Sequence, residues 1–96
     1  MRLEFAPEAV ADIDDATLWY FDEDPKLAAQ FSIELERVLD QILENPRAWT
    51  EIESGIRRVL LWKFPYAVIF RVGSEVVHVV TVMHQHRKPD HWRGRE

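Results

Sequence analysis

The chain has 96 residues, of which 47% are hydrophobic and 30% are charged, and its formal net charge is −5. This length supports one hydrophobic core, so we expect a single domain over residues 1–96. The sequence has no cysteine, which excludes a disulfide scaffold and thiolate chemistry, and no run of about 20 apolar residues that would predict a membrane span, so we expect a cytoplasmic protein without membrane association.

The first predicted elements are a short strand and a helix. Arg2–Phe5 alternates partly between apolar and polar residues, which indicates a strand. Pro7 suits the first position of a helix, where its missing N–H removes no hydrogen bond. Residues at helical spacing predict the buried stripe of this helix, namely Val10, Ile13, Thr17 and Tyr20. Three aspartates lie off this stripe, namely Asp12, Asp14 and Asp15.

A second helix is predicted to follow at once and to end at the Asn45-Pro46 step. Asp24 is a natural N-cap before Pro25. Proline disfavours helical geometry in the residue before it, so Asn45 ends the helix. The apolar residues step by three and four, as in a helix packed along a neighbour, and they are Ala28, Phe31, Leu35, Val38 and Ile42. The two helices therefore form a tightly linked hairpin.

Three strands are predicted after a loop over residues 47–55, because the hydrophobic period changes from helical to near two. They are Ile56–Lys63, Tyr66–Val72 and Glu75–Met83. Gly73 would supply the positive φ of a type II′ hairpin turn. The last strand carries five valines on both faces, so it should be central or covered. The order β-α-α-β-β-β predicts an α+β fold, in which a helical hairpin packs on a small, mostly antiparallel sheet.

Charge is distributed unevenly along the chain. Residues 1–54 contain 4 basic and 14 acidic side chains, whereas residues 55–96 contain 8 basic and 3 acidic ones. This distribution favours one surface for an anionic partner and another for solvent or a basic partner. Two acidic surface helices would by themselves produce the same imbalance.

Signatures of several enzyme classes are absent from the sequence. The three glycines form no phosphate-binding loop, and no serine lies in a nucleophile elbow. His84, His86 and His91 lack the carboxylate or cysteine partners of a recognisable metal site. We therefore expect no metal and no cofactor.

The basic residues of the C-terminal part are the candidates for phosphate binding or catalysis. Arg71 is the most informative of them, since it lies in the middle of a predicted strand between Phe70 and Val72. A charge at this position faces a polar cleft, pairs with another group, or points to solvent on the open side of the sheet.

Two motifs, one in the predicted sheet and one in the tail, resemble those of a known family. The first is the run Arg57-Arg58-x-x-Leu61-x-x-Phe64-Pro65-Tyr66-Ala67-Val68-Ile69-Phe70-Arg71-Val72. The second is the ending Val82-Met83-His84-x-x-Arg87-x-Pro89-x-x-Trp92-x-x-Arg95. Both are similar to segments of the RelE/ParE toxin family. The helical hairpin also has the same place in the order of elements as in that family. The resemblance covers nearly the whole chain and is closer to the ParE-like branch.

The resemblance implies the toxin of a type II toxin–antitoxin system, of the kind also called plasmid stabilisation proteins. Such a toxin is cytoplasmic, inhibits growth, and is inactive in a hetero-oligomer with an antitoxin encoded by the adjacent gene. ParE-type members poison DNA gyrase by binding it. RelE-type members are ribonucleases that cut messenger RNA on the ribosome without a metal ion.

We predict inhibition of DNA gyrase by direct binding, with the tail over residues 83–96 as the functional segment. Its target-binding residues would be Arg87, Trp92, Arg93 and Arg95. Aromatic and arginine side chains dominate protein interfaces, although Trp92 could instead fold back onto the core.

Two alternatives remain open. A ribonuclease of the RelE type would use Lys63, Arg71, His84 and Arg87 for charge stabilisation and proton transfer. No tyrosine follows residue 66, so the tail tyrosine of many ribonuclease members has no counterpart here. The second alternative is a degenerate, non-toxic module that only binds antitoxin.

Overall fold

Two helices lie on a five-stranded sheet in the computed structural model, which describes residues 1–85. The elements are β1 (Arg2–Phe5), α1 (Pro7–Glu23), α2 (Pro25–Glu44), a 3-10 turn (Pro46–Ala48), β2 (Glu51–Glu53), β3 (Ile56–Leu60), β4 (Tyr66–Val72) and β5 (Val76–His84). This arrangement confirms the predicted α+β fold. Within residues 1–85, neither helix combines the length and the apolar character that crossing a membrane requires.

The ends of both helices follow from local sequence chemistry. One carboxylate oxygen of Asp24 accepts a hydrogen bond from the N–H of Lys26 at 3.0 Å, and Pro25 is the first residue of α2. The side chain of Asp24 thereby satisfies one of the N–H groups that a helix start leaves without a partner. At the other end Asn45 caps α2, and Pro46 begins the 3-10 turn. The predicted bounds of the hairpin are confirmed.

The sheet has the strand order β1-β5-β4-β3-β2, with β1 parallel to β5 and every other pair antiparallel. β2 lies in the segment predicted as loop, so the sheet has one strand more than expected. It is only three residues long and contains two glutamates. Such a short polar strand has no hydrophobic alternation that a sequence pattern could reveal.

The centre of the sheet is buried on both faces. All five residues of the predicted α2 seam are at most 5% exposed, and among them Phe31 and Leu35 share a core cluster with Val68 and Phe70 of β4. Alternate residues of a strand point to opposite faces. A second buried cluster therefore lies on the face away from the helices, and it consists of Ile56, Ala67, Ile69, Val80 and Met83. The expectation that β5 is central or covered is confirmed.

The buried face of α1 differs from the prediction by a rotation of the helix. Ala9, Asp12 and Ala16 are its buried residues, whereas Val10 is 46% exposed. Of the predicted stripe, Ile13 and Tyr20 are half-buried and pack against the core. The carboxylate of Asp12 accepts hydrogen bonds from the hydroxyl of Thr81 and, at 3.2 Å, from the N–H of Val82. Small alanines let the helix approach the sheet closely, and this approach brings the aspartate to donors on β5.

The β4–β5 turn also differs from the prediction. Among the described residues Gly55 is the glycine with a positive φ, at 78°, and Gly73 does not have one. The type II′ assignment is therefore wrong. The N–H of Gly73 donates to the carbonyl of Val76 at 2.7 Å. A Cβ at residue 73 would lie 3.2 Å from that carbonyl oxygen, so close backbone approach explains the glycine.

Replacing Leu35 with alanine should lower the free energy of unfolding by about 2–5 kcal/mol, because it removes buried methyl groups and leaves a cavity. Ile33→Ala is the matched control, since Ile33 lies on the same helix and is 67% exposed. This control should change the free energy of unfolding by less than about 0.5 kcal/mol. Equal values from urea unfolding of the two variants would contradict the α2 orientation.

Asp12→Ala should also destabilise the protein, by about 1–3 kcal/mol, because it removes the buried acceptor shared by Thr81 and Val82. Asp14→Ala provides the control, as Asp14 is exposed on the same helix. Thermal unfolding distinguishes the two. If both aspartates proved equally dispensable, α1 would not be attached to β5 through its carboxylate.

Candidate functional site

The predicted site residues divide into two groups. Arg87, Trp92, Arg93 and Arg95 lie outside the described residues 1–85. Lys63, Arg71 and His84 lie within them. Lys63 and His84 lie at one end of the sheet, and Arg71 lies near the other end.

His84 and Lys63 lie at the end of the sheet where β3 turns into β4. His84 is the last residue of β5 and pairs with Tyr66, the first residue of β4. The two rings meet edge to face with their centroids 5.2 Å apart. The next residue, Gln85, donates its N–H to the carbonyl of Pro65 at 2.8 Å. Gln85 therefore lies beside His84 and the β3–β4 loop.

An aromatic cluster supports this end of the sheet from the helix side. The ring of Tyr20 lies 4.8 Å from that of Phe64 and 5.5 Å from that of Phe31, and Phe31 lies 5.4 Å from Tyr66. Burial raises the pKa of the Tyr20 hydroxyl, and the nearby Tyr66 adds to the shift. Tyr20 therefore stays neutral at physiological pH. Its ring packs in the apolar cluster beneath this end of the sheet.

Arg71 lies near the far end of β4. It is exposed and pairs with Ile56 and His78 on the neighbouring strands. It follows Tyr66 by five positions, which corresponds to about 16 Å along an extended strand. Arg71 lines a shallow cavity of about 160 Å³ together with Glu4, whose carboxylate is 3.5 Å from the ring of His78. The structure therefore does not bring Arg71 together with Lys63 and His84.

The two layers of the fold carry opposite charge. The hairpin over residues 7–44 contains eleven acidic and two basic side chains. Arg58 pairs with Ile69, so Arg58, Ile69 and Arg71 share the sheet face away from the helices, and both arginines are exposed. The acidic part of the sequence thus forms the helical layer, and the sheet face away from the helices carries exposed cations.

A groove that the sequence did not predict lies between α2 and the β3–β4 loop. The carboxylate of Glu34, on α2, is buried and accepts hydrogen bonds from the N–H groups of Trp62 and Lys63. The Trp62 side chain is 88% exposed, and the Arg37 guanidinium lies over its ring, 5.9 Å from the centroid. The groove measures about 270 Å³ and is lined by Gln30, Ile33, Glu34, Arg37, Trp62 and Lys63.

Trp62 carried no local signal for this groove, because it falls within the run Ile56–Lys63 that was predicted as one strand, whereas the structure ends β3 at Leu60. Glu34 carried no such signal, because an acidic residue on an acidic helix resembles any other surface position. Among residues 1–85, no three histidine, cysteine, aspartate or glutamate side chains lie where they could hold a metal ion. Of the three clustered histidines, only His84 falls within that range.

Comparison with known proteins identifies relatives over most of the chain. Residues 3–89 match a family model described as the ParE toxin of the type II toxin–antitoxin system, parDE. A solved chain from the chromosomal ParDE TA system from P. aeruginosa has a similar fold, with a TM-score of 0.76 and 18% sequence identity. The alignment covers 88% of this chain and 95% of that one. No curated protein matches the sequence.

Glu34→Gln should destabilise the protein by about 1–3 kcal/mol, because both carboxylate oxygens accept backbone N–H groups and an amide replaces one acceptor with a donor. Amide exchange at Lys63 should become faster. Glu36→Gln, an exposed change on the same helix, should leave both measurements unchanged. Unaltered exchange at Lys63 in the Glu34 variant would rule out this carboxylate as the anchor of the loop.

Proposed function

Because this chain belongs to the ParE toxin family of type II toxin–antitoxin systems, we propose that it inhibits DNA gyrase by direct binding and is neutralised by a cognate antitoxin. It acts in the cytoplasm and inhibits growth when the antitoxin is absent. The toxin and antitoxin form a hetero-oligomer. No cofactor takes part in this mode of action.

The separation of Arg71 from Lys63 and His84 is the observation that carries this proposal. Cleavage of a phosphodiester needs a base, an acid and charge stabilisation around one phosphate. His84 pairs with Tyr66, which faces the helices, whereas Arg71 points to the opposite face of the sheet and lies about 16 Å farther along β4, so the two side chains do not converge on one phosphate. Inhibition by binding needs no such set of groups, so the arrangement of residues 1–85 favours a contact mechanism.

The tail over residues 83–96 is the proposed contact segment of the single domain 1–96. Its base is attached to the sheet through the pairing of His84 and the hydrogen bond from Gln85 to Pro65. Beyond it the sequence supplies the residue types that dominate interfaces, namely Arg87, Trp92, Arg93 and Arg95.

One observation favours a ribonuclease as the second candidate. Lys63 and His84 lie at the same end of the sheet, and Arg87 follows His84 by three residues in the sequence. A cation and a titratable imidazole near one another are the groups that metal-independent cleavage of RNA requires. Arg71 would then have no part in the catalytic set.

Inducible expression with separate readouts of the DNA damage response and of translation tests the proposal. A gyrase poison induces the damage response while protein synthesis continues. Rapid translational arrest with cut messages would instead identify a ribonuclease, and normal growth would identify a non-toxic antitoxin-binding module. Coexpression of the protein encoded by the adjacent gene should restore growth in the first two cases.

Substitutions in the tail should separate the two mechanisms. For a gyrase poison, Trp92→Ala abolishes toxicity, because contact is lost, and His84→Gln is mild, because no proton is transferred. Trp19→Ala is the control, since Trp19 is a 63% exposed tryptophan on α1. For a ribonuclease, His84→Gln and Arg87→Ala each lower cleavage by about 10²-fold or more.

The growth comparison counts only for variants that still bind antitoxin, so that misfolding is not mistaken for lost function. Full toxicity of Trp92→Ala together with loss of toxicity in His84→Gln would overturn the gyrase assignment.

A further inference from the structure

The groove beside α2 exposes two large apolar side chains to water. Trp62 is 88% exposed and Ile33 is 67% exposed, and the two line the same groove. Exposed apolar surface of this kind marks sites of protein association. Tryptophan and arginine are also the residues most enriched among those that dominate binding energy, and here Arg37 lies over the ring of Trp62.

The accessible charge of the groove is opposite to that of the surrounding layer. Its floor contains one carboxylate, Glu34, but this group is buried and accepts hydrogen bonds from two backbone N–H groups. Arg37 and Lys63 are exposed and carry the accessible charge. The groove is therefore an apolar and cationic patch at the edge of an acidic helical layer.

The backbone along one side of the groove is held by hydrogen bonds within the protein. The Glu34 carboxylate holds the backbone of Trp62 and Lys63, and these residues lie between β3 and the buried Phe64. A binding surface that is already ordered loses little conformational entropy when a partner arrives. The backbone that carries Trp62 is thus attached to α2 before a partner binds.

We propose that this groove binds a segment of the antitoxin in which an aliphatic or aromatic side chain is followed closely by a carboxylate. The apolar side chain packs between Trp62 and Ile33, and the carboxylate pairs with Arg37 or Lys63. The assignment rests on the proposed function, in that it presumes a protein antitoxin. The antitoxin is the protein partner that the proposed function supplies, so it is the partner expected to cover an apolar surface that is otherwise exposed to water.

Charge favours a peptide over a nucleic acid at this position. Tryptophan with two cations would also suit a stacked base and a phosphate. A nucleic acid strand, however, carries a negative charge at every nucleotide and would extend over a helical layer with nine exposed carboxylates and one cation besides Arg37. A peptide needs only one or two carboxylates, placed opposite Arg37 and Lys63.

Calorimetric titration of the full-length toxin with the full-length antitoxin from the adjacent gene tests the proposal. Trp62→Ala should weaken binding by about 30-fold or more, the loss typical of a tryptophan that dominates an interface. Trp19→Ala, the exposed tryptophan on α1, should change the affinity less than threefold. Thermal unfolding of both variants should match wild type, because both side chains are mostly exposed.

The charged half of the groove is tested by salt dependence. Arg37→Gln should weaken binding at low ionic strength and reduce the loss of affinity on adding salt. Lys26→Gln is its control, since Lys26 is the other cation of the hairpin and lies at the start of α2. It should leave the salt dependence unchanged.

Three results would overturn the assignment. If the wild-type and Trp62→Ala proteins bind antitoxin equally, the groove is not the docking site, although the proposed function stands. If the wild-type protein does not bind the antitoxin at all, the proposed function fails and the groove assignment with it. If single-stranded RNA of ten nucleotides binds the toxin and Trp62→Ala abolishes that binding, the groove is a nucleic-acid site.

Discussion

Two buried carboxylates attach the helical hairpin to the sheet, and the position of each functional region depends on them. Asp12 accepts hydrogen bonds from Thr81 and Val82 on β5, and Glu34 accepts them from Trp62 and Lys63 after β3. Apolar packing supplies most of the driving force for folding but is not directional. Hydrogen bonds to buried charges are directional, and leaving such a charge without donors is costly. The carboxylates therefore set where each helix sits on the sheet.

The same two contacts connect the core to the surfaces proposed for partners. Val82 lies two residues before His84, from which the tail continues, and Trp62 forms one wall of the groove beside α2. The loop between β3 and β4 contributes to both regions, because Trp62 and Lys63 line the groove while Pro65 accepts the N–H of Gln85. The groove proposed for the antitoxin and the base of the tail are thus separated by only a few residues of one loop.

The candidate site was predicted only in part, and the reason is the difference between sequence proximity and distance in the sheet. Residue chemistry identified Lys63, Arg71 and His84 as candidates. The antiparallel register decides which of them meet, since it pairs His84 with Tyr66 and Arg71 with His78. A strand of seven residues places its two ends about 20 Å apart, so Arg71 is remote although it follows Lys63 by only eight positions. Trp62 and Arg37 were not predicted because a contact between a loop and a helix leaves no local pattern.

The sequence by itself determined the helical hairpin, its caps at Asp24 and Asn45, the seam of α2 and the order of the main strands, because each depends on residues close along the chain. Only the tertiary structure decided the rotation of α1, the short strand β2 and the roles of Asp12 and Glu34. The rotation of α1 and the roles of the two carboxylates depend on donors that lie 28 to 70 residues away in sequence. Strand β2 pairs with the adjacent β3 but has no hydrophobic pattern of its own. A carboxylate on a helix has the same local pattern whether it faces water or a backbone N–H, and the packed sheet alone distinguishes the two.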